Sequence, residues 1–216
     1  MNLFLRYAWD DPFFFGAWVI IIAFSICVHE YAHARMALWF GDETAADQGH
    51  LTLNPFKQMG LTALLALLAI GIAWGAVPVD PRRLRTRFAA AAVAFAGPAA
   101  NLLLAVVSAL LWSALVRGDV FDGEAGHVAL FLKYAAYANS TLFLFNLLPV
   151  PILDGWSVGA LFFPAMLKIT TSAAQNMSWI VLFALVVTPL GNFVWSYGEQ
   201  LGGLLLRIGT AFLGHG

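Results

Sequence analysis

Residues 28–34 read VHEYAHA, and they close a run, Phe13 to Val28, that holds no charged side chain. Two imidazoles and a carboxylate are costly inside lipid and usually mark function there. Everything around the heptapeptide says lipid. The 216-residue chain is 61% hydrophobic and 11% charged, whereas about a quarter of an ordinary soluble chain is charged. Further uncharged runs cover 58–79, 88–116, 134–153 and 169–198, each reaching the roughly 20 residues that cross a bilayer core. The tryptophans fall largely near the ends of these runs, where interfacial anchors collect. A net charge of −1 points away from nucleic acid, and Cys27, the single cysteine, excludes an intrachain disulfide. The first run does not read as a cleavable leader, because it carries the heptapeptide and lacks a basic segment before it.

Outward from the motif, the pattern predicts an all-α polytopic membrane protein. A first long helix covers 13–40. The polar link 41–60 contains LTL between polar neighbours and the turn signal Asn54-Pro55, which predicts a short strand or hairpin. Residues 61–77 are apolar but short, with Gly71 and Gly75 spaced for close helix contact. The segment VPVDPRRLRTR, 77–87, brings four arginines. A second long helix covers 88–116, where Pro98 is expected to kink it or reset its start. After an acidic loop at 117–127, a span at 129–148 breaks at NLLPVPILDG. A short interfacial helix at 155–168 and a last span at 177–197 follow, and 201–213 reads as a further short span or a surface helix. The expectation is about five to six membrane segments in one domain over 1–216, with its core in 13–156 and membrane or interfacial helices in 157–216. A strand, hairpin or re-entrant element lies near 49–77. By the positive-inside rule the arginines are cytoplasmic. A meeting of His29 with Asp154 then makes 61–77 start and finish on that side, so the site faces the cytoplasm.

HEYAH is an HExxH sequence. Helical positions i and i+4 share a face, so His29 and His33 can present nitrogen to one ion. Glu30 sits round the helix, within reach of a water on that ion; this is the layout of zinc with a general base. A catalytic zinc keeps three protein ligands. Of the acids, Glu30 and Asp154 are embedded in apolar sequence, and Asp154 lies where Pro149 and Pro151 forbid a continuous helix. Broken helix at membrane depth is tolerated where it builds a site. Asp154 is therefore the chosen third ligand, ahead of His50, His127 and His215; read alone, it also fits a helix-terminus cap before Gly155. Asn146 and Asn101 are the amides best placed to donate to a developing oxyanion, or else each bonds a neighbouring helix. Cys27 reads as packing, Glu199 as interfacial, and the arginines as a topology determinant.

Four segments together, HEYAH at 29–33, GHLTLNP at 49–55, AGPAANLLLA at 96–105 and FNLLPVPILDG at 145–155, resemble the site-2 protease family of intramembrane zinc metalloproteases, in that family's order. The resemblance is to the compact members without a PDZ domain. It implies one zinc ion per chain on His29, His33 and Asp154, with Glu30 as the catalytic carboxylate. It further implies that Asn146 assists near the substrate, and that 49–55, Asn54 included, holds an extended substrate. The implied substrates are transmembrane segments of other proteins, and the implied location is the membrane, the plasma membrane for a bacterial chain. WSVGALFFP after LDG and QMG after NPFK depart from the family's usual continuations. A different class of reading is a zinc-binding membrane transporter, sensor or scaffold without hydrolysis; Glu30 between the two histidines speaks against it, since a binder needs no base there.

Overall fold

The computed structural model describes residues 4–117, 124–168, 180–181 and 190–214. Its helices are α1 (Tyr7–Asp10), α2 (Pro12–Trp39), α3 (Thr44–Asp47), α4 (Pro55–Gln58), α5 (Gly60–Ile70), α6 (Arg87–Arg117), α7 (Glu124–Asn146), α8 (Asp154–Phe162) and α9 (Leu190–Gly214). Asp11 starts α2 by accepting from the Phe14 amide at 2.9 Å, with Pro12 in the first turn, where its missing N–H costs nothing. Pro98 lies inside α6, which is continuous from Arg87, so the proline does not reset the helix start.

Three helical segments are long and apolar enough to cross a bilayer: Pro12–Trp39, Arg87–Arg117 and Gly126–Asn146. They match the segments expected at 13–40, 88–116 and 129–148, whereas the run 58–79 holds only the short helix α5. The five to six segments expected are not all found among the described residues. Most of 177–189 lies outside them, and 201–213 is not a separate element but the second half of α9. Glu199 does not break that helix because its side chain is exposed on the outer face. The inner face is glycine: a Cβ added at Gly198 would strike Thr141, one at Gly202 would strike Tyr137, and one at Gly209 would strike Ser113. Glycines thus let α9 run flush along α7 and α6.

The distribution of side chains is inside out relative to a soluble protein. Ala34, Ala37, Ala63, Ala105 and Ala136 are fully buried, while Ile20, Phe24, Leu103, Leu111 and Phe212 are exposed. Small residues in the seams and large apolar ones outside suit a lipid surround.

The strand or hairpin expected near 49–77 is absent among the described residues. LTL pairs with no strand, and a side chain takes one of its carbonyls and the one before it: Nε2 of Gln58 donates to the carbonyls of Thr52 and His50 at 2.6 and 2.8 Å. Asn54 and Pro55 start a helix instead, with Asn54 Oδ1 accepting from the Phe56 amide at 2.9 Å. α5 then packs Ala63 and Leu67 against Ile21, Ile22 and Ile26 of α2 and ends at Gly71, whose φ of 75° is the left-handed helix stop. Trp18 donates its indole N–H to the Gly71 carbonyl at 2.9 Å.

From Gly71 to Asp80 the chain is non-helical and turns back along α2, passing Glu30 at Gly75. The Ala76 amide donates to the Gln58 carbonyl at 3.1 Å, and the Asp80 amide donates to Oδ2 of Asp42, just past the end of α2, at 2.7 Å. Eleven residues of helix rise roughly 16 Å, about half a bilayer core. The short helix therefore goes out and the chain comes back to its start, the shape of the re-entrant alternative, built from helix and a non-helical return.

Candidate metal centre

His29 and His33 stand one turn apart on α2, both buried. Asp154 reaches them from the far side of the break after α7. The Leu148, Val150 and Leu153 amides donate to the carbonyls of Phe145, Leu148 and Val150 at 3.1, 2.8 and 2.8 Å, so the Pro149 and Pro151 segment folds into consecutive turns. Gly155 permits this: a Cβ there would strike the Leu147 and Leu148 carbonyls. Asp154 is the first residue of α8, and no side-chain cap bond is made at that helix start. Its carboxylate turns to the histidines instead. Oδ2 lies 3.1 Å from Nε2 of His29 and Oδ1 lies 3.3 Å from Nε2 of His33, while the two Nε2 atoms are 2.9 Å apart.

The other ring nitrogens are committed elsewhere. Nδ1 of His29 meets Oδ1 of Asn101 at 2.6 Å, and Nδ1 of His33 meets the Val93 carbonyl at 2.7 Å. Both partners only accept, so both Nδ1 atoms carry the proton and both Nε2 lone pairs are bare. Such partners are how proteins orient histidine ligands. Two bare lone pairs and a carboxylate converging on one point repel unless an electrophile sits among them. Three donors on a tetrahedral ion, with bonds of about 2.0–2.2 Å, stand roughly 3.3 Å from one another; the observed separations come close to that. Glu30 and Asp154 give the cluster a formal charge of −2, which a divalent cation balances. The residues present therefore fit zinc, the ion that two imidazoles and a carboxylate with an open fourth position suit.

Gly97 on α6 closes the back of this centre. A Cβ there would collide with Nε2 of both histidines. In front lies a cleft of about 700 Å³ whose walls include Glu30, Val77, Val79, Leu84, Asn146 and Ile152. Glu30 is 7% exposed and packs on the backbone of the return segment, because a Cβ at Gly75 would strike its side chain.

Of the amides singled out in the sequence, one faces this cleft. Asn146 lines it and spends one N–H on the Leu142 carbonyl at 3.0 Å. Asn101 does not: it is 1% exposed behind His29, and its Nδ2 donates to Oδ1 of Asn139 at 3.0 Å and to the Ser25 carbonyl at 3.4 Å. Its amide is turned to the fold, where it fixes the His29 ring and does not line the cleft. Asn54 caps α4 and lines no wall of the cleft. His50 pairs with Gln58 at 3.2 Å, His127 makes a tilted ring contact with Phe13, and His215 lies outside the described residues.

Sequence reasoning missed Gly97, Asn139, Gln58 and Asp42. Asn139 was signalled by being an amide in an apolar span. Asp42 is fully buried and accepts from the Thr44 amide and hydroxyl at 3.1 and 2.5 Å as well as from Asp80. Burial alone would raise its carboxyl, but these bonds outweigh it and hold the group below the ordinary carboxylate value.

Known proteins with this sequence pattern carry matching names. The chain is 37% identical over 183 residues to "Putative zinc metalloprotease YwhC" of Bacillus subtilis, covering 82% of each chain. It is 31% identical over 223 residues to "Putative zinc metalloprotease Rip2" of Mycolicibacterium smegmatis, covering 91% of this chain and 83% of that one. The Rip2 of Mycobacterium tuberculosis strain H37Rv is also 31% identical, over 91% of this chain and 79% of its own. No protein-family model matches the chain, and no solved structure does.

Proposed function

We propose that this chain, which belongs to the site-2 protease family of zinc metalloproteases, cuts peptide bonds in or near transmembrane segments of membrane-protein substrates. The observation that carries the reading is the convergence of His29, His33 and Asp154 on one point, beside Glu30, at the base of a cleft between apolar helices. In this reading His29, His33 and Asp154 hold the zinc ion. Zinc, when bound, supplies Lewis-acid polarisation and a water of lowered pKa.

The chain's own residues do the rest. Glu30 takes a proton from the attacking water and passes it to the leaving amine. Its packing on Gly75 keeps the carboxylate on the cleft side of α2. Asn146 keeps one N–H for a carbonyl oxygen of the substrate. Val77, Val79, Leu84 and Ile152 give the substrate an apolar passage that limits water to the site. A helical substrate hides its carbonyls in internal hydrogen bonds, so it must unwind before attack. The non-helical backbone at Val77 and Val79 lines the cleft and offers replacement bonds to an extended chain; this role passes to it from 49–55, where Gln58 occupies the His50 and Thr52 carbonyls.

The chain crosses the membrane several times, with Arg82, Arg83, Arg85 and Arg87 on the cytoplasmic side. The cleft takes Arg85 and Arg87 into its rim, so the site opens towards that face. The test is Glu30→Gln in purified, reconstituted protein. Zinc content should stay at one ion per chain while cleavage of a transmembrane substrate disappears. Full zinc with undiminished cleavage would remove Glu30 from the chemistry, and a wild-type chain that binds zinc but cuts no peptide bond would leave a non-hydrolytic binder.

A further inference from the structure

A second cavity, of about 350 Å³, lies between α6, α7 and α9, away from the metal centre. Lys133 of α7 and Arg207 of α9 both line it, with Trp112, Tyr137, Leu206 and the α9 backbone. Among the described residues no aspartate or glutamate does. Among the described residues neither cation has an ion-pair or hydrogen-bond partner, and neither the Tyr137 hydroxyl nor the Trp112 indole N–H makes a hydrogen bond. Thr210, also in the lining, spends its hydroxyl on the Leu206 and Arg207 carbonyls of its own helix. The side chains thus offer donors and positive charge and leave acceptors wanting.

Lys133, half-buried, and Arg207, exposed, line one cavity from different helices of an apolar bundle, a setting that suits an anion accepting from both. Long basic side chains at helix ends commonly reach for the interface by themselves, but that needs no shared cavity. The depth narrows the choice. α6, at 31 residues, is roughly 46 Å long and overhangs a 30 Å bilayer core by about 8 Å at each end. Trp112 lies five residues inside its C-terminal end and Arg207 seven residues inside that of α9, which puts the cavity near the polar boundary of one leaflet. Leu204 and Ile208, on the same stretch of α9, are exposed and apolar, a surface for acyl chains.

We infer that this cavity binds the phosphate of an anionic phospholipid headgroup, held by Lys133, Arg207, Tyr137 and Trp112, with the acyl chains over Leu204 and Ile208. Phosphate oxygens accept and do not donate, which matches the ammonium, guanidinium and indole groups of the lining, all of which only donate. The lipid fills the junction of the three helices and ties α9 to the pair that carries Asn101, Asn139 and Asn146. The site stands on residues separate from the metal centre.

The experiment uses the purified full chain in neutral detergent, titrated with phosphatidylglycerol, phosphatidylcholine or inorganic phosphate. Thermal unfolding and native mass spectrometry are read together. Phosphatidylglycerol should raise the unfolding midpoint by several degrees and leave one adduct per chain, and the other two should do neither. Lys133→Gln with Arg207→Gln should weaken phosphatidylglycerol binding roughly 30-fold, the loss of two basic contacts, while Lys57→Gln with Arg35→Gln, a charge-matched pair of exposed residues outside the cavity, should not. Equal effects of the two lipids, the same stabilisation by inorganic phosphate alone, or an unchanged double variant would each overturn the assignment. Should the double variant not fold, the wild-type comparison of the three additives decides by itself.

Discussion

Oδ1 of Asn101 lies 2.6 Å from Nδ1 of His29, so a buried amide on α6 decides which nitrogen of a histidine on α2 is bare. Asn101→Leu removes that acceptor and frees the ring to adopt the other tautomer. Zinc affinity should fall by about 10–100-fold, the usual cost of losing such a partner. Competition with a chelator of known affinity measures it. An unchanged affinity would mean the ring is held by packing alone.

Gly97 is an opposite case, where an addition does the damage. Gly97→Ala puts a methyl group against Nε2 of both histidines. The variant should lose bound zinc and all cleavage while its far-ultraviolet circular dichroism keeps the helical signal. Zinc retained at one ion per chain would show that the two helices separate enough to admit the methyl.

Gly75→Ala tests the base separately from the metal. The new methyl meets the Glu30 side chain and must push it off its position. Misplacement of a catalytic group by about 1 Å costs on the order of 100-fold in rate. Turnover should drop by that order with zinc content unchanged, which single-turnover kinetics and metal analysis together will read.

Asp42 carries a pH signature. Its carboxyl is held below the ordinary value in the folded protein by bonds from Thr44 and Asp80. Its contribution is therefore complete above the unfolded value of about 3.9 and is lost as pH falls through the lower folded value. At pH 7, Asp42→Ala should cost about 1–3 kcal/mol, the range for leaving buried donors without a partner. The gap between wild type and variant should stay constant from pH 7 to 5 and begin to close only below about pH 4. Thermal unfolding in detergent across that range checks it, and a gap already closing at pH 6 would assign the effect to another group.

The long helices and the His29, His33 and Asp154 cluster were legible because each rests on a strong local signal. Uncharged runs mark α2, α6 and α7, and two histidines at i and i+4 with an embedded late aspartate mark the centre. What failed was direction. An asparagine in an apolar span announces a hydrogen bond but not its partner, so Asn101 and Asn146 looked alike; α6 happens to aim one behind His29, while α7 brings the other to the cleft. The LTL alternation is too short to outweigh a helix cap at Asn54-Pro55 and a buried glutamine that collects nearby carbonyls. Gly71 and Gly75 were read as one helix-packing pair. One is a left-handed helix stop and the other a point of contact with Glu30, a distinction that only the path of the chain reveals. Glu199 suggested a boundary, but one acid on the outer side of a glycine-faced helix interrupts nothing.

The alanine and glycine seams of the interior invert the usual rules of mutational tolerance. A side chain that is already a methyl group or a hydrogen has little left to lose by truncation, and much to lose by growth. Saturation mutagenesis should find that trimming the bulky outward residues is nearly silent. Adding even one or two carbons at Ala34, Ala105, Ala136 or Gly202 should be ruinous, because overfilled seams force whole helices apart.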